Sequence, residues 1–306
     1  MNAPGGASGY VDLHGHGGGG GSVEDGPDGI RRMLAAHAAH GTARQVLSLV
    51  ANPVPRLVRS LAVIRGLAAE EPQIAGAHLE GPFLAPERHG AHDPRHLVDP
   101  SPALVDELLA AGEGVLRMIT IAPELPGALD AIARFAAAGV VVAVGHTDAG
   151  ASLAQDAFDA GARVLTHAFN AMRPIAGREP GPLGAALTDE RVTIEVIADG
   201  IHVHPDNLRW LFAAAPDRIA AVTDAMAAAG AGDGDYRLGA LDVAVRDGRA
   251  VIAGTDRLAG STLTLDRAVR VLEAAGVPAA YALAAVTTTP ARVLGLAHTE
   301  GDHPIG

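Results

Sequence analysis

Eight short apolar runs, separated by longer amphipathic segments, are the feature that most restricts the fold of this chain. They lie at residues 10–13, 45–50, 74–79, 115–121, 140–144, 163–166, 192–197 and 219–223. The fifth run, VVVAV, does not alternate between polar and apolar residues, which is typical of a parallel strand buried on both faces. Between the runs, as in residues 126–138, apolar residues recur with helical spacing. The alternation predicts an α/β fold, a closed (β/α)₈ TIM-type barrel, with a doubly wound open sheet as the alternative.

The predicted barrel occupies residues 10–296, which is long enough for a fold that typically needs about 250 residues. Residues 1–9 are predicted to be a disordered N-terminus, and residues 297–306 a loose C-terminal tail. The N-terminus has neither a basic cluster nor an apolar core, so it does not indicate a signal peptide. No apolar run reaches the roughly 18 residues of a membrane span. We therefore expect a cytoplasmic protein.

One segment departs from the alternation of strands and helices. Residues 236–253 contain two strand-like runs around Asp247 and Gly248, which predicts a β-hairpin insertion with a glycine turn. Helical periodicity resumes after the insertion, at about residues 262–275 and 278–294. The hairpin is therefore expected to interrupt the barrel domain without ending it.

Composition excludes several kinds of partner and of catalyst. The net charge is −12, so the chain offers no basic surface for nucleic acid or for an anionic membrane. Cysteine is absent, which rules out disulfides, thiolate ligands and a cysteine nucleophile. All 23 basic residues are arginine, so neither a Schiff base nor a carboxylated lysine that bridges two metals can form. The negative net charge does not exclude an anionic small substrate, because the binding site for such a substrate needs only a local arginine.

Side chains that can bind a metal follow the predicted strands at the end where barrel enzymes place their catalytic groups. In chain order they are His14, His16, His78, Glu80, His146, His167, Asp199, His202 and Asp224. His14 and His16 lie two residues apart in an extended segment, so their side chains point to the same side. Histidine and carboxylate donors suit Zn²⁺ or Fe²⁺. A single histidine would be weak evidence, but its recurrence in one phase of the strand rhythm predicts a metal centre. For His78, packing within its strand is the simpler interpretation.

Six motifs give the chain a resemblance to a known family. They are VDLHGHG (11–17), GAHLEGPF (76–83), GHTDA (145–149), THAFNAM (166–172), DGIH (199–202) and VTDAM (222–226). Together they resemble the N-acetylglucosamine-6-phosphate deacetylase branch of the amidohydrolase superfamily. The resemblance runs in order from about residue 10 to about residue 296. The HxH motif is common to the superfamily, whereas HLEGPF, THAFNAM and VTDAM are specific to the branch.

The resemblance implies a metal centre that binds Zn²⁺ or Fe²⁺. Glu80, His146 and His167 match the residues that hold the main ion. His14 and His16 match the ligands of a second ion, with Glu80 as a candidate bridge. Some members of the family lack the HxH motif and use one ion, so the number of ions stays open.

The resemblance also implies the catalytic and substrate-binding residues. Asp224 matches the general base that then acts as general acid, and His202 matches the residue that polarises the acetyl carbonyl. The positions that match contacts to the sugar phosphate are Ala91, His92, Asn170, Ala171, Arg178, His202, Leu258, Ala259 and Gly260.

The activity implied is hydrolysis of the N-acetyl group of N-acetylglucosamine 6-phosphate, in amino-sugar catabolism and cell-wall recycling, by a homodimer. The alternatives are a deacetylase for another acylamino sugar and a truncated, non-catalytic remnant. Members of the family carry a small β-sandwich domain, built from segments before the HxH strand and after the last helix. Because only nine residues precede the first predicted strand, we expect that domain to be missing or vestigial.

Overall fold

The eight apolar runs form the eight strands of one parallel sheet, as a computed structural model of the chain shows. The structure describes residues 9–296, so the predictions for residues 1–8 and 297–306 lie outside it. The strands are β1 (Tyr10–Gly15), β2 (Gly17–Gly18), β3 (Gly21–Ser22), β4 (Thr42–Val50), β5 (Ile74–Glu80), β6 (Leu116–Ile121), β7 (Val141–Val144), β8 (Val164–Leu165), β9 (Thr193–Ile197), β10 (Ile219–Val222), β11 (Gly234–Leu238), β12 (Leu241–Arg246) and β13 (Arg249–Ile252).

Helices follow most of the barrel strands and cover the outside of the sheet. The α-helices are α1 (Gly26–Ala38), α2 (Val54–Ala68), α3 (Pro102–Gly112), α4 (Ala128–Ala137), α5 (Ala151–Ala160), α6 (Gly181–Thr188), α7 (Pro205–Ala214), α8 (Leu265–Ala274), α9 (Ala279–Ala284) and α10 (Thr288–Val293). In α4, Ala128, Ala131, Ile132 and Phe135 are buried, which is the apolar face that helical spacing predicts.

The strand order is β1-β4-β5-β6-β7-β8-β9-β10, and every neighbouring pair is parallel. This order follows the chain without a reversal, which confirms the predicted (β/α)₈ barrel over the doubly wound alternative. The carboxyl ends of all eight strands therefore meet at one rim.

The seam between β1 and β10 is closed by a buried carboxylate. Asp12 is fully buried; its Oδ2 accepts hydrogen bonds from the Thr223 hydroxyl at 2.6 Å and from Gln45 Nε2 at 3.1 Å. Its Oδ1 accepts from the Thr223 amide at 3.2 Å. The Asp224 amide donates to the His14 carbonyl at 2.8 Å just beyond. These bonds tie the first strand to the last at the height of the active rim.

The same seam is closed at its other end by a break between two helices. The predicted helix over 278–294 is two helices, α9 and α10, and the residues between them face the barrel strands. The Ala285 carbonyl accepts from the Ala221 amide, and the Val286 carbonyl accepts from the Val11 amide, each at 2.8 Å. A continuous helix would use these carbonyls internally, so the break supplies acceptors to β1 and β10.

The insertion at 236–253 is a three-stranded antiparallel sheet, which corrects the predicted two-stranded hairpin. The first strand-like run splits because Leu238 pairs with Leu241 across a two-residue turn, and Gly239 has a positive φ of 57°. Buried side chains of this sheet, including Val243 and Val245, form a small apolar cluster with Val50 and Met226. The sheet therefore covers part of the rim where the strands end.

We predict that Asp12→Ala destabilises the barrel by about 2–4 kcal/mol, because it leaves several buried donors at the seam without an acceptor. Chemical denaturation of the metal-free protein measures the change. Asp156→Ala, on the exposed face of α5, is the matched control and should change stability by less than about 0.5 kcal/mol. Equal stability of Asp12→Ala and Asp156→Ala would show that the seam does not depend on this carboxylate.

Candidate active site

The metal-binding side chains predicted from the sequence converge at the rim formed by the carboxyl ends of the strands. His14, His16, Glu80, His146, His167 and Asp224 are each no more than 9% exposed. Glu80 ends β5, whereas His146, His167 and Asp224 stand in the loops just after β7, β8 and β10. The barrel thus brings together residues up to 210 positions apart in the sequence (14 to 224).

Three donors form a first cluster. Glu80 Oε1 lies 3.0 Å from His146 Nε2 and 3.2 Å from His167 Nε2, and the two imidazole nitrogens are 3.0 Å apart. Ligands held by one ion at about 2.0–2.2 Å lie about 2.8–3.6 Å from each other in octahedral or tetrahedral geometry. Both the donor types and their spacing therefore fit a divalent ion such as Zn²⁺ or Fe²⁺.

A second cluster adjoins the first and shares Glu80 with it. His14 Nε2 and His16 Nε2 are 3.2 Å apart, and His16 Nε2 lies 3.2 Å from both Glu80 Oε2 and Asp224 Oδ1. His14 Nε2 lies 3.4 Å from Glu80 Oε1 and 3.6 Å from Asp224 Oδ1. These separations also suit one ion. Glu80 contributes one carboxylate oxygen to the first cluster and both oxygens lie near the second.

For two of these histidines, the hydrogen bond made by the second ring nitrogen indicates the tautomer, whereas His167 Nδ1 has no hydrogen-bond partner among the described residues. His16 Nδ1 donates to the Ser48 carbonyl at 3.1 Å, and His146 Nδ1 donates to the Arg88 carbonyl at 2.8 Å. With the proton on Nδ1, Nε2 keeps its lone pair for a metal. The backbone thus sets the tautomer that a ligand requires.

His92 has the opposite arrangement. Its Nδ1 accepts from the Ala51 amide at 3.1 Å, so its proton is on Nε2, which lies 3.2 Å from Glu80 Oε2. Although Glu80, His92 and His146 are close enough to hold an ion together, His92 has no lone pair facing the cluster. His92 is therefore a hydrogen-bond donor to Glu80 and not a metal ligand.

The backbone at this rim is strained where functional side chains leave the strands. His146, His167 and Asp224 have φ values of 48°, 26° and 46°, in the left-handed region that side chains other than glycine rarely adopt. Phe169 and Ala171 follow with 74° and 48°. Such strain persists only where surrounding contacts over-determine the backbone, and it clusters at functional sites.

Two titratable groups beside the clusters have shifted pKa values. Burial alone would raise the pKa of Asp224, but His14 and His16 lower it to about 2, so this carboxylate is ionised at neutral pH. Burial alone would lower the pKa of His202, but the hydrogen bond to Asp199 outweighs it and raises that pKa. Asp199 Oδ2 lies 2.7 Å from His202 Nδ1. A raised pKa favours the imidazolium form, in which Nε2 is also a donor.

A cavity of about 350 Å³ opens beside the clusters and contains most of the predicted substrate contacts. Among the predicted residues it is lined by Ala91, His92, Asn170, Ala171, His202, Leu258 and Gly260. The two other predicted contacts, Ala259 and Arg178, do not line the cavity: Ala259 is fully buried, and Arg178 is exposed to solvent. His78 is buried between the Ser48 and Thr120 hydroxyls, which is the structural position expected for it.

Several polar residues of this region were not predicted from the sequence. Arg88, His89 and Arg257 line the cavity. Arg88 and His89 precede the predicted Ala91 and His92, so their proximity to that motif was an available signal. Glu195 is fully buried and faces His14. The sequence signal that could have identified it is a charged residue in the middle of a buried strand, TIEVI.

Within residues 9–296, no helix is long and apolar enough to cross a membrane.

Comparisons with known proteins agree with this geometry. Residues 7–306 match the Amidohydrolase family. An N-acetylgalactosamine-6-phosphate deacetylase of Escherichia coli O157:H7 is 39% identical, over 94% of this chain and 77% of that protein. An N-acetylglucosamine-6-phosphate deacetylase of Danio rerio is 36% identical, over 98% and 78%. The structure is similar to that of a mutant N-acetyl-D-glucosamine-6-phosphate deacetylase from Mycobacterium smegmatis in complex with N-acetyl-D-glucosamine-6-phosphate, with 47% identity, a TM-score of 0.91, and coverage of 94% and 77%.

We predict that His167→Ala loses the ion of the first cluster, because it removes one of three converging donors. Elemental analysis of the purified protein measures the bound metal. His40→Ala is the control, since His40 precedes β4 at the opposite end of the barrel. Metal content equal to that of the unchanged protein in His167→Ala would contradict the assignment.

Proposed function

Because the chain belongs to the amidohydrolase family and has relatives that are N-acetylhexosamine-6-phosphate deacetylases, we propose that it hydrolyses N-acetyl-D-glucosamine 6-phosphate to D-glucosamine 6-phosphate and acetate. The observation that carries the proposal is the convergence of a metal-binding cluster, Asp224 and His202 on one cavity. We place the reaction in amino-sugar catabolism and cell-wall recycling. A phosphorylated sugar does not cross a membrane unaided, which is why we propose a cytoplasmic site.

The residues that would hold the ion are Glu80, His146 and His167, and His14 and His16 would hold a second. A divalent ion at this position supplies Lewis acidity and lowers the pKa of water to near neutrality. The protein contributes a fixed donor set, since hydrogen bonds to backbone carbonyls set the tautomers of His16 and His146.

Asp224 is the proposed general base and general acid. Its carboxylate lines the cavity, is ionised at neutral pH, and stands beside the donors of both clusters. It takes a proton from the attacking water and passes it to the nitrogen of the amide as the C–N bond breaks. The amide and water give the amine and acetic acid, which are present at neutral pH as the ammonium ion and acetate, so atoms and protons balance.

His202 is the proposed donor to the acetyl oxygen. Asp199 Oδ1 accepts from the amides of Ile201 and His202, both at 2.8 Å, and its Oδ2 fixes the His202 ring. With Nδ1–H directed at Asp199, a neutral ring would face the cavity with an acceptor. The raised pKa supports the charged ring, whose Nε2–H stabilises the negative oxygen of the tetrahedral intermediate.

The phosphate requires positive charge at the cavity, and we propose Arg257 in addition to Arg178. Arg88 lines the cavity, but its guanidinium binds Asp148 at 2.6 Å. Arg257 Nη1 lies 3.0 Å from His89 Nε2 and donates to the Gly90 carbonyl at 3.1 Å, which leaves its other donors available. Arg178 lies outside this cavity, so it would need a different loop position or a partner subunit to reach the phosphate.

A second candidate substrate is the 4-epimer, N-acetylgalactosamine 6-phosphate, because the Escherichia coli O157:H7 relative bears that name at 39% identity. Assays of both epimers, with and without the phosphate, test the proposal directly. Absence of turnover with every sugar in the presence of added metal would support a non-catalytic binding protein instead.

We predict that Asp224→Asn lowers kcat by about 10²-fold or more, because the amide keeps the shape but cannot take up a proton. Elemental analysis should show that the ion of the first cluster is retained. Asp156→Asn, on an exposed helix face, is the control. Near-full activity of Asp224→Asn would assign Asp224 a structural role.

We predict that Arg257→Ala raises KM for the phosphorylated sugar by about 10-fold or more and hardly changes the kinetics of the unphosphorylated sugar, because a hydrogen bond to a charged group contributes about 1.5–3 kcal/mol. Arg178→Ala is measured alongside it, and Arg59→Ala on the exposed face of α2 is the control. Equal effects of Arg257→Ala on both sugars would exclude a phosphate contact. A phosphate-specific effect of Arg178→Ala alone would move that contact to Arg178.

A further inference from the structure

Glu195 is a buried carboxylate inside the barrel that the proposed reaction does not use. It lies on β9 between apolar neighbours, and its side chain is fully buried. Its Oε2 lies 3.4 Å from His14 Nδ1, and its Oε1 has no hydrogen-bond partner among the described residues. We infer that Glu195 is a positioning residue for a second divalent ion, which it serves by orienting His14 and by adding negative charge behind the ligand.

The tautomer of His14 is the first support for this role. Its ring stands between Glu195 on one side and the donor cluster on the other, with Nε2 facing His16, Glu80 and Asp224. A carboxylate can only accept a hydrogen bond, so Nδ1 carries the proton. In the neutral ring, which is the form that binds a metal, Nε2 therefore keeps a lone pair directed at the cluster. A carboxylate in this position also makes the imidazole a stronger ligand than a backbone carbonyl does.

Charge is the second support. His16 and His146 are oriented by neutral carbonyls, and His167 Nδ1 has no hydrogen-bond partner among the described residues. Of the four histidines in the two clusters, His14 is therefore the one with a carboxylate behind it. Glu80, Asp224 and Glu195 all lie within 3.6 Å of the His14 ring, and the described ion pairs give none of the three an arginine partner. Lysine is absent from the chain.

The described partners of these carboxylates are imidazoles, which carry a compensating charge only when protonated, and burial opposes that protonation. One divalent ion at the first cluster balances Glu80 and part of this negative charge. A second ion, held by His14 and His16, would balance the remainder. The three carboxylates around His14 are therefore expected to make the barrel more stable with two bound ions than with none.

The role of Glu195 rests on the proposed metal dependence, but not on the identity of the substrate. It is tested by binding of Zn²⁺ to protein that has been stripped with a chelator, with competition against a chelating dye to resolve the two steps. We expect two Zn²⁺ per chain. Glu195→Gln should leave the first step within about two-fold and weaken the second by about 10–100-fold, the usual effect of removing an outer partner of a ligand. Glu190→Gln, which is exposed just before β9, is the matched control.

Thermal unfolding distinguishes positioning from a merely structural role. Glu195→Gln removes the charge behind His14 but keeps the shape, so it should reduce the gain in Tm that Zn²⁺ produces by more than it changes the Tm of the metal-free protein. Glu195→Asp, which keeps the charge but shortens the reach, should also weaken the second step, and it serves as the test if the Gln variant does not fold.

Three results would overturn the inference: one Zn²⁺ per unchanged chain, an unaltered second step in Glu195→Gln, or equal falls in Tm with and without Zn²⁺. Deacetylation by the unchanged protein is measured separately. If no sugar phosphate is hydrolysed but the Zn²⁺ results hold, the proposed function fails and the role of Glu195 stands.

Discussion

The carboxylate of Glu80 is the group around which this active site is assembled. It is 3% exposed at the end of β5, and it contacts imidazoles from four other parts of the barrel. Five histidines lie within 3.4 Å of its oxygens: His14, His16, His92, His146 and His167. Burial works against this charge, but the surrounding imidazoles lower the pKa of Glu80 well below its ordinary value. A buried carboxylate surrounded by imidazole nitrogens is a donor set that suits a divalent cation.

The contacts that join the first and last strands of the barrel help to position the groups of the site. The first and last strands meet through the Asp12 carboxylate and through carbonyls at the break between α9 and α10. His14 and Asp224, which come from those two strands, face each other across that seam, and the Asp224 amide donates to the His14 carbonyl. The strained backbone at Asp224 is therefore fixed by the closure of the barrel. The contacts that close the barrel therefore also position Asp224 beside the donor clusters.

The cavity mouth is where sequence-based interpretation was least complete. Ala91, His92, Asn170 and Ala171 could be placed from motifs, because they adjoin the ligands in the chain and must follow them to the rim. Arg257 belongs to the segment that follows the antiparallel insertion, and its place in the cavity depends on how that sheet folds over the rim. The sheet itself was predicted as a hairpin, because the turn at Gly239 interrupts a run whose composition is strand-like throughout.

The sequence by itself predicted the eight strands and the polar donors at the strand ends, because hydrophobic periodicity is local and the strand–helix rhythm sends every strand end to the same rim. It left the order of the strands open between a closed barrel and a doubly wound sheet. Only the tertiary structure decided the partners of buried polar groups: Glu195 behind His14, 181 residues away, and Asp12 beside Thr223, 211 residues away. The physical reason is that a buried charge is stabilised by whichever side chains face it inside the barrel. Strand register and closure set those neighbours, and no window of sequence contains them.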